Sequence, residues 1–438
     1  MMPFHALLTT ALIFAPSQAG GVLLRDDLAA DQSYMVQQEL TLTGEIRVIQ
    51  EEKMVPLKLT AKAGHTYTER ILAGGPPGEA LKAARQYETA KAVITVQGNA
   101  SERLLRDDRR QVILQRVKDV ATHYAPSGAL RREELELISE HLDSLAIAGI
   151  MPGKKVAVEE TWDVPPSVVQ ALCHFEGLVE NAVKARLASL VDGKASVQVT
   201  GRASGIEVGA TARVEIDATL TYDTSTGRVT GARWRQKDER EAGPASPAVS
   251  VDASISLTRK PVPTPKELSD PALVSVPKGF EAPESLLAID YKDSKSRFEL
   301  LHGRDWHMVA RTNSHLVLRL MDKGDFIARA TLSQWTTADK GKPVDTEAFK
   351  EAMNRTPGWE PAKELQAGLV PSGDKRQIFR WSVMGKMEGV EVMQNFYLVA
   401  WPDGRQMVVT VTTAPKQAER LGSRDLALVG SLDIPGSN

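Results

Sequence analysis

The sequence predicts an α+β protein: first a curved antiparallel sheet with helices packed on one side, then a second antiparallel sheet carrying helices of its own. Two observations predict this. Apolar and polar residues alternate with period two through long stretches before residue 258. The last third then runs as short strands, a helix, a Pro-Asp-Gly hairpin and a closing amphipathic helix. A length of 438 residues is long for one core, so two domains are expected.

Residues 1–19 read as a signal peptide. Ala6 to Ala15 is almost wholly apolar, Pro16 breaks the run, and Ser17-Gln18-Ala19 supplies small residues where cleavage is expected. The run is too short to span a bilayer, and no later apolar run is long enough, so the mature chain is expected to be exported, periplasmic or extracellular, without a transmembrane segment.

Residues 20–258 form the expected β-rich domain. Leu40, Leu42, Ile46 and Val48 share one face of a strand, and Val55, Leu57, Leu59 and Ala61 share a second. Tyr87 to Gln97 and Gln111 to Val120 are further strand candidates. Leu135, Ile138, Leu142 and Leu145 fall on one face of a predicted helix. A second helix is expected over Pro165–Cys173, where Pro165-Pro166 suits a first turn. The clearest strand runs from Ala210 to Tyr222, with every second residue apolar and Thr, Arg, Glu and Asp between them. Thr230, Ala232 and Trp234 continue its dry face on the return, and Val249 to Leu257 adds another row. Such a sheet is compatible with a half-barrel, as in periplasmic lipoprotein carriers; beyond that, this part is similar only to exported bacterial proteins of unknown function.

Residues 259–283 hold Pro261, Pro263, Pro265, Pro271, Pro277 and Pro283 and no periodic apolar face, the composition of a linker. In residues 284–438, strands are expected around Phe298–Leu300, Trp306–Ala310, Leu316–Leu320 and Phe326–Trp335, and Asp345 caps a helix. Val392 to Trp401 is apolar on both faces, as a central strand covered on both sides would be. Trp401-Pro402-Asp403-Gly404 turns the chain back, and Pro415–Leu432 is the closing helix.

The run FELLHGRDW at Phe298–Trp306 resembles the opening strand-turn-strand of Mog1/PsbP-like domains, in which an apolar strand precedes a glycine and a tryptophan. The pair of strands from Val392 to Thr412, followed by a helix, is similar to their last hairpin and C-terminal helix. The resemblance covers about a third of the chain and rests on element order and apolar placement. It implies an α/β/α sandwich around an antiparallel sheet in a family whose members mostly bind other molecules. No catalytic motif unites that family.

The 54 basic and 56 acidic residues nearly cancel, so no strong field favours nucleic acid or an anionic membrane surface. Cys173 is the single cysteine; no intramolecular disulfide can form, and its apolar neighbours suit an inert buried thiol. Zincin, nucleophile-elbow and phosphate-loop motifs are absent. His302, Asp305, His307 and His315 are the densest set of metal-capable side chains, chemically suited to Zn or Cu. Their spread over a turn and a strand favours surface histidines over a metal centre, and no cofactor is expected. The function expected is non-enzymatic binding of an envelope protein or a lipid-like ligand. A hydrolase with scattered catalytic residues is the alternative.

Overall fold

The computed structural model describes residues 21–50, 53–74, 81–117, 120–139, 142–295, 297–342 and 344–436. The expected signal peptide, residues 1–19, lies outside the described residues.

Thirteen strands form the first sheet: β1 Ser33–Gln50, β2 Lys53–Ala73, β3 Leu81–Val96, β4 Asn99–Leu104, β5 Gln111–Val117, β6 Val120–Tyr124, β7 Thr161–Asp163, β8 Gly177–Asn181, β9 Lys184–Val191, β10 Lys194–Glu207, β11 Ala210–Asp223, β12 Arg228–Arg240 and β13 Ala248–Pro261. Their order is β6-β5-β3-β2-β1-β13-β12-β11-β10-β9-β7, with β4 beside β3 and β8 beside β10. Every pairing is antiparallel, the arrangement that hairpins between neighbours produce. β11 is buried at every second residue along its length, because its Ala, Val, Ile, Leu and Tyr side chains enter the core while the charged ones stay wet. Short helices α1 (Arg132–Ile138) and α2 (Pro166–Leu172) and the turns between them fill the inner face, joining one large core with residues from strands along the whole sheet.

The second sheet has seven antiparallel strands: β14 Trp306–Arg311, β15 His315–Asp322, β16 Asp325–Gln334, β17 Trp359–Val370, β18 Gln377–Met387, β19 Val390–Ala400 and β20 Gln406–Thr413, in the order β14-β15-β16-β20-β19-β18-β17. β19 is interior and nearly all buried, as its two-faced apolar pattern requires. One face carries a core around Trp306, Tyr397 and Leu428, the other a core around Phe349, Trp381 and Phe396. α3 (Thr346–Asn354) begins where Asp345 accepts a hydrogen bond from the Ala348 N–H at 3.0 Å. α4 (Arg424–Gly430) closes the chain.

The expected α+β class is overturned. Among the described residues strand makes up 56% and helix 14%, so this is a β protein with short helical pieces, and neither sheet closes into a barrel there. The α/β/α sandwich expected for residues 284–438 is overturned with it, since α3 and α4, nine and seven residues long, are too small to be helical layers. The reason is local. Leu135, Ile138, Leu142 and Leu145 share a helical spacing, yet the helix ends at Ile138, and Leu142 and Leu145 are buried from turns instead. Burial was satisfied without helix. The closing segment likewise breaks at Gly422, whose φ of 57° is left-handed, into Ala418–Leu421 and α4.

Residues 259–261 of the expected linker end β13, and residues 262–283 lie against the outer face of the first sheet. Leu268 and Leu273 pack on Ala84, Ile113 and Tyr124. Lys82 Nζ donates to the Pro277 carbonyl and, at 2.7 Å, to that of Gly279, while Arg70 Nη1 reaches the Leu268 carbonyl at 2.7 Å. Side chains of the sheet thus take up carbonyls of a segment that its prolines keep from joining the ladder beyond Pro261. The two sheets meet through arginines: Arg132 Nη2 donates to the carbonyls of Arg304 and Trp306, both at 3.0 Å, and Arg304 Nη2 to that of His123 at 2.5 Å.

Candidate functional site

The inner face of β1, β2 and β3 is built from cross-strand sets. Gln38 pairs with His65, Leu40 with Ala63 and Leu42 with Ala61; on the other side of β2, His65 pairs with Ala90, Ala63 with Ala92 and Ala61 with Ile94. A bulge makes this possible. Tyr67 pairs with Tyr87 but Thr66 with Thr89, so Glu88 is an extra residue, and β3 changes from odd-numbered to even-numbered residues facing inward. Four alanines (61, 63, 90 and 92) therefore meet where larger side chains would have filled the space beneath α1.

What remains open is an apolar cleft of about 260 Å³ between this sheet surface and Leu137 of α1. Arg103 of β4 and Glu133 and Glu136 of α1 edge it. Burial pushes the Glu136 carboxyl up from its usual range, with Arg103 and Arg132 opposing the shift. Gln38 and His65 are buried at one end, whereas Leu59 and Ile94 at the other are partly exposed, so the Gln38 end is the closed one.

His65 Nε2 lies 3.0 Å from the Leu137 carbonyl, and its ring meets Tyr87 edge-on at 6.4 Å. A carbonyl only accepts, so Nε2 carries the proton. Burial lowers the His65 pKa to about 4, which leaves Nδ1 bare at neutral pH.

Beyond Ile138 lies a second, polar cavity of about 590 Å³. Its wall contains Arg85, Arg116, His123 and Asp143, with Glu176 and Lys323 from across the fold. Arg85 Nε holds Glu69 Oε2 at 2.8 Å, and its Nη2 reaches Ser144 Oγ at 3.1 Å; Arg116 Nη2 is bonded to Asp143 Oδ2. Burial alone would raise the Asp143 carboxyl, but Arg116, Arg85 and the Leu145 N–H hold it well below the usual carboxylate range. Burial lowers His123 to about 3. These contacts pin the turn that follows α1 onto β2 and β3, so the network separates the two spaces as well as lining one.

His302 is buried at the end of the strand Glu299–His302, with Nδ1 2.8 Å from the Gly303 carbonyl. Asp305 lies in the next turn, 3.3 Å from Arg424 Nε. His307 is on β14, and His315 opens β15 with Nδ1 3.1 Å from both Thr312 Oγ1 and Ser314 Oγ. The Arg132 guanidinium enters the region as a fixed positive charge beside His302 and His307. Among the described residues no three His, Cys, Asp or Glu side chains converge to hold a metal ion. Cys173 is buried just past α2, and burial raises its thiol pKa. The sequence reading missed Gln38 and His65. Their signal was present: Gln38 continues the face of Leu40 and Leu42, and His65 that of Ala61 and Ala63, so each is a polar residue on an otherwise apolar face.

No protein-family model matches the chain, and no curated protein matches it. Among solved structures, the chain is similar to cyanobacterial PsbP (CyanoP) from Synechocystis sp. PCC 6803, at 12% identity over 36% of this chain and 96% of that one, with a TM-score of 0.26. It is also similar to lipovitellin, at 8% identity over 55% of this chain and 26% of that one, TM-score 0.28. A third is the immunity protein TplEi of T6SS from Pseudomonas aeruginosa, at 11% identity over 52% of this chain and 74% of that one, TM-score 0.21.

Proposed function

We propose that this chain is a non-enzymatic binding protein that holds a single-chain apolar ligand in the cleft under α1. One observation carries the reading: Leu40, Leu42, Leu59, Ile94 and Leu137 surround a gap that alanines leave open on the inner face of the sheet. Native interiors rarely leave such space unfilled. From Gln38 to Leu42 the sheet advances roughly 13 Å, room for an extended chain of about ten carbons. Each methylene taken from water contributes about 0.8 kcal/mol. Export of the chain, proposed from residues 1–19, would place this binding in the cell envelope.

The test is mass spectrometry of an organic extract of gently purified protein, alongside an Ala63→Trp variant. Near-stoichiometric apolar molecules in the first and none in the second are expected. An extract at background, with no uptake of added decanol, would sink the reading.

A second reading, hydrolysis, draws on the titratable groups of the polar cavity. The chemistry weighs against it. Asp143 is already engaged by arginines, His123 at about 3 is a poor base near neutral pH, and no Ser, Thr, Cys or Tyr lines the wall among the described residues. Turnover of simple esters by the wild-type protein that disappears in His123→Gln would revive it.

A further inference from the structure

The closed end of the cleft is polar, and its polar atoms are unsatisfied. Gln38 is 2% exposed and His65 6%; both line the cleft, and they are directly opposed on β1 and β2. Opposed residues on one face hold their Cβ atoms roughly 5 Å apart. The Gln38 Oε1 and His65 Nδ1 atoms are buried without a hydrogen-bond partner. Protein groups meet the other ring nitrogen of His65, since Nε2–H is directed at the Leu137 carbonyl. Buried acceptors are nearly always paired, and one left open disfavours the fold unless something else supplies a proton.

We infer that the cleft selects a neutral ligand whose apolar chain ends in a hydroxyl or primary amide, and that this group enters first and donates to His65 Nδ1 while bonding the Gln38 amide. This rests on the proposed apolar-ligand function and narrows its ligand class. A hydroxyl fits both partners, giving its proton to one and accepting from Gln38 Nε2. The choice of Gln38 amide orientation does not matter, because either one offers one donor and one acceptor. An ionised carboxylate fails, since it brings no donor to Nδ1 and would lose its hydration at a closed end that offers it no positive charge. An ester accepts but does not donate. Arg103 stands at the side of the cleft, opposite Ala92 and one inward row from His65, with the Glu136 carboxyl of α1 as its electrostatic neighbour.

The experiment is isothermal titration calorimetry of the full chain with decanol, methyl nonanoate and decanoate, which share chain length and differ in donor capacity. Decanol is expected to bind about tenfold more tightly than either of the others, the factor expected for leaving a buried acceptor unpaired. In Gln38→Leu the preference for decanol over methyl nonanoate is expected to shrink severalfold. Equal affinity for decanol and methyl nonanoate, or tightest binding of decanoate, would overturn the donor requirement while leaving an apolar cleft. If none of the three binds, the underlying carrier reading falls as well.

Discussion

Gly209 and Gly324 meet tip to tip across the two sheets: a Cβ placed on Gly209 would stand 2.6 Å from the Gly324 carbonyl oxygen. Each glycine is the second residue of a two-residue hairpin turn, Val208–Gly209 between β10 and β11 and Lys323–Gly324 between β15 and β16. All four residues have positive φ (49°, 70°, 51° and 82° in chain order), the backbone such tight hairpins require. The contact also brings Lys323 to the wall of the polar cavity.

Gly209→Ala therefore carries two penalties, a left-handed backbone worth about 1–2 kcal/mol and a backbone clash. Faster amide hydrogen exchange is expected in Asp322–Asp325 and in β10–β11 near the turn. Unchanged protection at both tips would show that the contact does not hold the sheets together.

Gln38→Leu should raise the stability of the unliganded protein by about 1 kcal/mol, because it replaces an unsatisfied buried amide with an apolar group of similar size. Urea denaturation reads this directly. A lower midpoint than wild type would mean that Gln38 is paired in solution.

Asp425 is fully buried in α4 and accepts from Asn395 Nδ2 at 2.6 Å and from Tyr397 OH at 2.7 Å, both on β19. Asp425→Ala leaves both donors buried without an acceptor. A loss of about 3 kcal/mol is expected, concentrated in the second sheet. Denaturation followed at Trp381 and Trp401 would reveal it; a loss under half a kilocalorie would contradict the assigned bonds.

Acid should destabilise the protein earlier than its carboxylates alone would. Burial lowers His65 and His302 from 6.5 to about 4 and His123 to about 3. With the folded values below the unfolded one, the unfolded chain binds more protons in this window. The stability present above about pH 6.5 is lost as pH falls toward 4, at roughly 1.4 kcal/mol per pH unit for each histidine. Asp143, whose carboxyl is depressed, adds its loss only below the ordinary carboxylate range. Urea midpoints that stay flat from about pH 7 to about pH 5 would refute the assignment.

Much of the architecture was legible. The alternation from Ala210 to Tyr222 is the burial pattern of β11, and Trp401-Pro402-Asp403-Gly404 does turn the chain, with Gly404 at a φ of 91°. Period-two alternation is a direct statement of which side chains must leave water. The cleft was only half legible, because an alanine on an inward face reads as ordinary core until the residues opposite it are known.

Local sequence was enough to identify some of the strands, Ala210–Tyr222 and Val392–Trp401 among them, the dry face of the first and the turn at Trp401–Gly404, since each of these follows from side-chain polarity and local backbone preference; the strands Lys184–Val191, Lys194–Glu207 and Trp359–Val370 carried no such reading. Packing in three dimensions set the burial of Leu142 and Leu145 from turns and the bulge at Glu88 that keeps β3 facing inward. It alone decided that Gln38 and His65 stand opposed at the end of an unfilled cleft. Those outcomes depend on cross-strand register and on how a short helix seats on a broad sheet, and neither is encoded within any one local stretch of chain.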